Sequence, residues 1–231
     1  MRLVLLDVDM TLISAAGAGI ASLEGAVLEL FGVERAFEGV EFAGRTDSMI
    51  VESALTAKGI EASDGNLSRV RSEYIRRLSR TLSGGWPVRV LDGVPALLEL
   101  LSQRKDACFG LVTGNWKEGA FLKLAACGID GCFRFGSFAE SGRTRNELIP
   151  HALSGAERFC GCTLDPGDVW VVGDTPHDVA SGKAWGLRTM AVATGPYGVG
   201  DLEAAGADAA VPDLSDTDLV AGILLGRQGR P

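Results

Sequence analysis

Two pairs of aspartates carry the strongest chemical signal in this 231-residue chain. Asp7 and Asp9 stand in Asp7-Val8-Asp9-Met10-Thr11, and Asp174 and Asp178 stand in Gly173-Asp174-Thr175-Pro176-His177-Asp178. At the first spacing, two carboxylates can turn toward one centre once the chain leaves an extended strand. Like charges that close repel, so one must be protonated or a cation must sit between them. Either arrangement suits proton transfer or metal-assisted chemistry. In the second pair, Asp174 can ligate a metal directly, and Asp178 can hold a metal-bound water or fix a neighbouring side chain. A plainer reading of Asp178 and Thr175 is a helix cap, but four aspartates at two strand exits exceed what capping requires. Oxygen-only ligands favour a hard cation, and Mg²⁺ is the natural one where a phosphate completes the shell. Thr113-Gly114-Asn115 adds a hydroxyl and free backbone N–H groups that suit phosphate oxygens. Arg143 and Arg145, in Ser141–Asn146, are the candidate fixed cations, with a solvated charged loop as their plain alternative.

Such groups need elements that bring them together. Arg2–Asp7, Ala107–Thr113, Val169–Asp174 and Arg188–Ala193 are apolar, β-rich runs that each break into polar residues, and Ala209–Val211 is a short fifth. Continuously apolar strands suit a parallel sheet buried on both faces. Between them, Val94–Ser102, Lys117–Cys127, Glu147–Phe159 and Asp178–Trp185 keep apolar residues near helical spacing. The alternation predicts a doubly wound, Rossmann-like α/β fold. Ligands of such sheets bind beyond the carboxyl ends of the strands, so Asp7, Thr113 and Asp174 are expected at one crevice. The segment from about Ser14 to Gly85 breaks the alternation: Ile20–Phe31, Ser48–Gly59 and Leu67–Leu82 read as helices between glycine-rich stretches. The expected organisation is therefore a core of residues 1–14 and 86–231, with a small helical cap of residues 15–85 inserted after the first strand.

The bulk numbers narrow the function classes. Thirty acidic and 22 basic residues give a net charge of −8, which offers no general attraction to nucleic acid or anionic membrane. A local basic pocket for a small phosphorylated molecule remains compatible with that charge. The opening apolar run ends at Asp7, short of a secretory signal, and Leu219–Leu225 is too short to span a bilayer. Five cysteines in no framework spacing read as reduced thiols, so a cytoplasmic protein is expected. Cys160-Gly161-Cys162 has no second pair to complete a metal site. His177 reads as an exposed turn residue, His151 as a helix-surface residue and the four tryptophans as packing residues. Trp116, directly after Thr113-Gly114-Asn115, is the tryptophan best placed to line a pocket. Gly226–Pro231 is expected to be a loose tail.

Taken together, the motifs resemble those of the haloacid dehalogenase superfamily, in the branch with phosphoglycolate phosphatase and β-phosphoglucomutase. The resemblance spans almost the whole chain. Asp7-x-Asp9-x-Thr11 matches the first motif, Thr113 the second and Gly173-Asp174-x-x-x-Asp178 the fourth. Gly44-Arg45-Thr46-Asp47 resembles a cap loop of this branch, and Leu91-Asp92-Gly93-Val94 resembles its return from cap to core. The third motif departs from the pattern. Alignment of Pro150 and Leu153 puts Arg145 where the family has a lysine; arginine keeps the charge but is not an equivalent donor. Arg143 and Lys123 are the alternatives for that position.

The resemblance implies a Mg²⁺-dependent phosphatase acting on a small phosphorylated metabolite. Asp7 would attack phosphorus and form an aspartyl-phosphate. Asp7, the backbone carbonyl of Asp9, Asp174 and Asp178 would make up the metal site. Asp9 would serve as general acid and base. Thr113, Gly114, Asn115 and Arg145 would hold the transferring oxygens, and Arg45 would reach the substrate from the cap. Dehalogenases of the superfamily lack an acid at the position of Asp9, which points to phosphoryl transfer. A phosphomutase needs the same core residues and is the nearest alternative; a non-catalytic phosphometabolite-binding protein is the alternative of a different class.

Overall fold

Strand β1 (Arg2–Leu6) sends Val4 and Leu6 into one apolar layer and Leu3 and Leu5 into another, as the two-residue period of a strand dictates. A sheet with both faces covered follows from that burial. The computed structural model describes residues 1–226. After β1 come a two-residue strand β2 (Ile13–Ser14) and three helices, α1 (Ala18–Phe31), α2 (Asp47–Ala57) and α3 (Asp64–Ser83). Strand β3 (Arg89–Val90) returns the chain, followed by α4 (Val94–Ser102), β4 (Ala107–Val112), α5 (Lys117–Ala126) and β5 (Gly136–Ser137). Then follow α6 (Arg145–Cys160), β6 (Val169–Gly173), α7 (Pro176–Ala184), β7 (Arg188–Val192), α8 (Val199–Ala204), β8 (Ala209–Val211) and α9 (Thr217–Leu225).

Six strands form one parallel sheet in the order β5-β4-β1-β6-β7-β8. Leu6 pairs with both Leu111 of β4 and Val172 of β6, so Asp7, Thr113 and Asp174 leave the sheet side by side. β1 lies where the strand order changes direction, the place at which an open α/β sheet leaves a crevice. The doubly wound fold expected from the sequence is thus the fold observed. β5 was not anticipated: two residues in a Phe-Gly-Ser stretch carry no apolar run, and they form a strand only because β4 offers a free edge.

The helices α1–α3 have an apolar cluster of their own, built on Leu23, Val27, Ile50, Leu55, Val70 and Leu78, and closed from the sheet side by Trp116 and Ala139. Their ends are set locally. The Thr46 hydroxyl accepts from Met49 N at 3.3 Å to start α2, and Ser63 does the same for Asn66 at 3.4 Å to start α3. Such caps contribute roughly 1 kcal/mol each. An antiparallel ribbon pairs Ile13 with Val90 and Ser14 with Arg89, tying together the two passages that flank this helical segment.

Among the described residues no helix is long and apolar enough to cross a membrane. The five cysteines are free thiols, and none of them belongs to a group of metal-ligating residues there. Most of the tail expected to be loose, residues 227–231, lies outside the described residues.

Candidate active site

Asp7 sits one residue past the end of β1, where its N–H still donates to Val172 O at 2.9 Å. The chain then folds back on itself: Leu12 N and Ile13 N both donate to Val8 O, at 2.9 and 3.1 Å, and Met10 N donates to Ile13 O at 2.8 Å. The turn puts Met10 at φ 57°, a left-handed conformation that costs a non-glycine residue of order 1–3 kcal/mol. The Thr194 hydroxyl beyond β7 donates to Met10 O and helps hold it there. The result is a buried Asp7 and, two residues on, an Asp9 whose side chain stays about one-third open.

Around Asp7 the structure gathers Asp174 and Asp178, with carboxylate oxygens of all three within 4.8 Å of one another. Arg145 spans the group. Its Nη2 donates to Asp7 Oδ2 at 2.5 Å and its Nη1 donates to Asp178. Burial works against the Arg145 charge, but Asp178 and Asp7 more than offset this and raise its pKa. Arg145 is the first residue of α6, not part of the preceding loop as expected, because the helix begins two residues before Glu147. Arg143, the alternative two residues earlier, is exposed and its guanidinium pairs with Glu52.

Burial raises Asp7 to about 6, with Arg145 pulling it down and Asp178 pushing it up. Asp174 rises further, to about 8, through burial first and then the charges of Asp7 and Asp178. Its carboxylate packs against Gly195 so closely that a Cβ there would lie 1.9 Å from Asp174 Oδ2. Asp178 also caps α7: its Oδ2 accepts from Thr175 N at 3.0 Å and from the Thr175 hydroxyl at 2.6 Å. One Asp178 oxygen thus serves the helix cap and the other meets Arg145.

A second cluster adjoins the first. Asp9 Oδ2 accepts from Lys123 Nζ at 2.6 Å and from Asn115 Nδ2 at 2.9 Å, and Lys123 also donates to Asn115 Oδ1 at 2.6 Å. The Thr113 hydroxyl accepts from Asn115 N at 3.3 Å and Asn115 Nδ2 at 2.8 Å. The Asp9 carboxylate is not one of the three clustered acids. Lys123, one of the sequence candidates for the third motif, faces Asp9 rather than Asp7. Its register on α5 and its burial could not be read from a helix pattern that tolerates lysine at any exposed turn.

Asp7, Asp174 and Arg145 of the first cluster and Asp9, Asn115 and Lys123 of the second line a cavity of about 400 Å³, together with Ile20, Leu23, Phe42, Arg45 and Tyr74. The loop before α2 lies directly on Thr113-Gly114-Asn115-Trp116. Asp47 N donates to Gly114 O at 2.7 Å, and Asp47 Oδ2 accepts from Trp116 N at 2.8 Å. A Cβ on Gly114 would come within 2.3 Å of Arg45 O. Arg45 lines the cavity, while its guanidinium is held by Ser53 at 3.3 Å and Glu41 at 3.1 Å. Trp116 does not line the cavity: it is buried against Tyr74, and its indole N–H donates to Ser48. His177 is exposed, as expected, and packs on Gly44. The site residues that sequence reasoning missed are Asp47 and Gly195; Asp47 stood in the quoted Gly44–Asp47 loop and Gly195 just past the strand Arg188–Ala193, and only the packing reveals their part.

Comparison with known proteins agrees with this geometry. Residues 145–217 match the family model described as HAD-hydrolase-like. No curated protein matches the sequence. Among solved structures, a hydrolase from Pseudomonas syringae superposes with a TM-score of 0.71 at 18% identity, covering 95% of this chain and 97% of that one. CbbY from Rhodobacter sphaeroides, in complex with phosphate, gives 0.72 at 14% identity over 94% and 96%. A predicted phosphoglycolate phosphatase from Haemophilus somnus 129pt gives 0.70 at 16% identity over 96% and 98%. Residues 145–217 are thus similar to a HAD-hydrolase-like family, and the chain as a whole shares the fold of these solved structures.

Proposed function

We propose that the protein is a Mg²⁺-dependent phosphatase that hydrolyses a small phosphate monoester, with Asp7 as the nucleophile. The observation that carries this reading is the convergence of Asp7, Asp174 and Asp178 around one arginine at the carboxyl end of the sheet. The residues fit a divalent cation. When ionised, three carboxylates against one guanidinium leave two negative charges uncompensated. Asp7 Oδ1 is buried with no hydrogen-bond partner. The donors are all oxygen, which suits Mg²⁺. Asp7, Asp174 and the Asp9 carbonyl would hold the ion, with Asp178 beside them completing the acidic group. Bound there, the ion would offset charge between the nucleophile and the phosphate.

The chain's own groups do the rest. Asp7 attacks phosphorus as the substrate P–O bond breaks, and Asp9 gives its proton to the departing oxygen. Water then attacks the aspartyl-phosphate, Asp9 takes its proton, and the Asp7 carboxylate leaves. Acid–base help of this kind is worth ~10²–10⁴ in rate. Thr113, Gly114, Asn115 and Arg145 orient the phosphate oxygens, since the reaction depends chiefly on placement and electrostatics. Residues 15–85 act as a cap that excludes water, with Arg45 facing the leaving group. A phosphorylated small molecule fits the cavity volume and agrees with the phosphate complex of CbbY.

With p-nitrophenyl phosphate and Mg²⁺, the wild type is expected to release inorganic phosphate and Asp7→Asn to release none while remaining folded. Comparable turnover by Asp7→Asn would remove Asp7 as the nucleophile. Isomerised sugar phosphate without phosphate release would assign the same residues to a mutase.

A further inference from the structure

Lys123 is a buried ammonium that no step of the proposed reaction uses. It projects from α5, five per cent exposed, into the seam between the sheet and the helical segment. A buried cation is kept only where it is well paired, and the geometry shows what the pairing achieves. Lys123 Nζ and Asn115 Nδ2 converge on one oxygen of Asp9, Oδ2, at 2.6 and 2.9 Å. Asn115 is in turn held by Lys123, at 2.6 Å through Oδ1, and by Thr113, at 2.8 Å. Two donors on one oxygen fix the rotation of the carboxyl group about its terminal bond, which is otherwise soft. Oδ1 is then the oxygen left free of these donors, on the side away from Lys123.

We propose that Lys123 is a positioning residue that clamps Asp9 through Oδ2 and so aims Oδ1 at the oxygen that leaves phosphorus. This rests on the phosphatase reading. In the transfer step, the P–O bond to the leaving group breaks, a bond from Asp7 to phosphorus forms, and the proton on Asp9 Oδ1 goes to the departing oxygen. In hydrolysis the same Oδ1 receives a proton from the attacking water. Aim matters because proton transfer requires hydrogen-bond reach at about 2.6–3.2 Å.

The test is a comparison of leaving groups. An alkyl phosphate needs the proton as its P–O bond breaks, whereas p-nitrophenolate leaves without it. Lys123→Met is expected to lower kcat for an alkyl phosphate by roughly 30–100-fold, part of the range for acid–base help, and for p-nitrophenyl phosphate by no more than about threefold. Lys123→Arg, which keeps a donor and the charge, is expected to recover part of the alkyl activity. A purely structural lysine would lower both substrates by the same factor, and that result overturns the proposal. Should Lys123→Met not fold, as judged by its thermal melt, Lys123→Gln keeps a neutral donor and is expected to show the same unequal loss on a smaller scale; an equal loss there overturns it too. A wild type inactive on every phosphate would instead defeat the phosphatase reading.

Discussion

At the scale of single residues, the site is a problem of charge held out of water. Asp7, Asp174 and Asp178 are all nearly fully buried, and Arg145 bonds to only two of them. Asp174, left without that guanidinium, is the acid pushed furthest, to about 8. Arg145→Gln removes the charge and one of two donors; kcat is expected to fall roughly 10²–10³-fold, the cost of losing one well-placed donor, which steady-state kinetics on p-nitrophenyl phosphate would measure. Arg145→Lys should retain more activity than Arg145→Gln but less than the wild type, because a lysine cannot hold two carboxylates in a fork. The aspartates were legible in the sequence because carboxylates at strand exits have few other uses. Arg145 is favoured over Arg143 only through the resemblance, by the alignment of Pro150 and Leu153; two residues of separation in a loop do not by themselves say which side chain turns inward, and in the structure it is Arg145, at the start of α6, that reaches Asp7 and Asp178.

At the scale of elements, glycines let the parts approach. Gly195 follows β7 and leaves room for the Asp174 carboxylate, with a Cβ position only 1.9 Å from its Oδ2. Gly195→Ala is expected to displace Asp174 and to raise the Mg²⁺ concentration needed for half-maximal activity at least tenfold, with the sheet intact by circular dichroism. Gly114→Ala should act differently. Its Cβ would meet the backbone of Arg45 at 2.3 Å, so the loop before α2 must lift; KM is expected to rise several-fold, with less effect on metal requirement. An unchanged KM would mean that the loop yields without cost. Strand–helix alternation revealed the large elements, and Val94–Ser102 was bounded correctly from its apolar spacing. The two-residue strands β2, β3 and β5 stayed hidden, because their pairing comes from neighbouring edges and not from their own residues.

At the scale of the whole molecule, buried acids make stability depend on pH and on metal. Asp174 is an acid whose folded pKa, about 8, exceeds its ordinary 3.8. The folded state then binds more protons than the unfolded one between those values, so metal-free stability falls as pH rises through that window. The cost is absent below about 4, where the group is neutral in both states, and complete above about 8. Mg²⁺ bound at the proposed site would displace those protons, so its stabilising effect is expected to grow with pH. The Tm gained in Mg²⁺ at about 100 times its Kd, equivalent to ~2.7 kcal/mol, is expected to be larger at pH 8 than at pH 5.5 at the same Mg²⁺ concentration. Equal gains at both pH values would separate metal binding from these carboxylates. The overall charge of −8 does not enter, because the effect belongs to three groups in one crevice. The fold as a whole was legible because apolar strands and amphipathic helices alternate along most of the chain. The convergence of β1, β4 and β6 followed from the general behaviour of such sheets, but the bonding among the side chains did not.

The central claim is that Asp7 carries the phosphoryl group during turnover. Protein mixed with Mg²⁺ and an aryl phosphate, quenched in acid within milliseconds and mapped by peptide mass spectrometry, tests it directly. A phosphoryl mass increment on Asp7, absent from Asp7→Asn and lost when the quench is delayed beyond turnover, is the expected result. Steady release of inorganic phosphate with no increment on Asp7 at any quench time would contradict it.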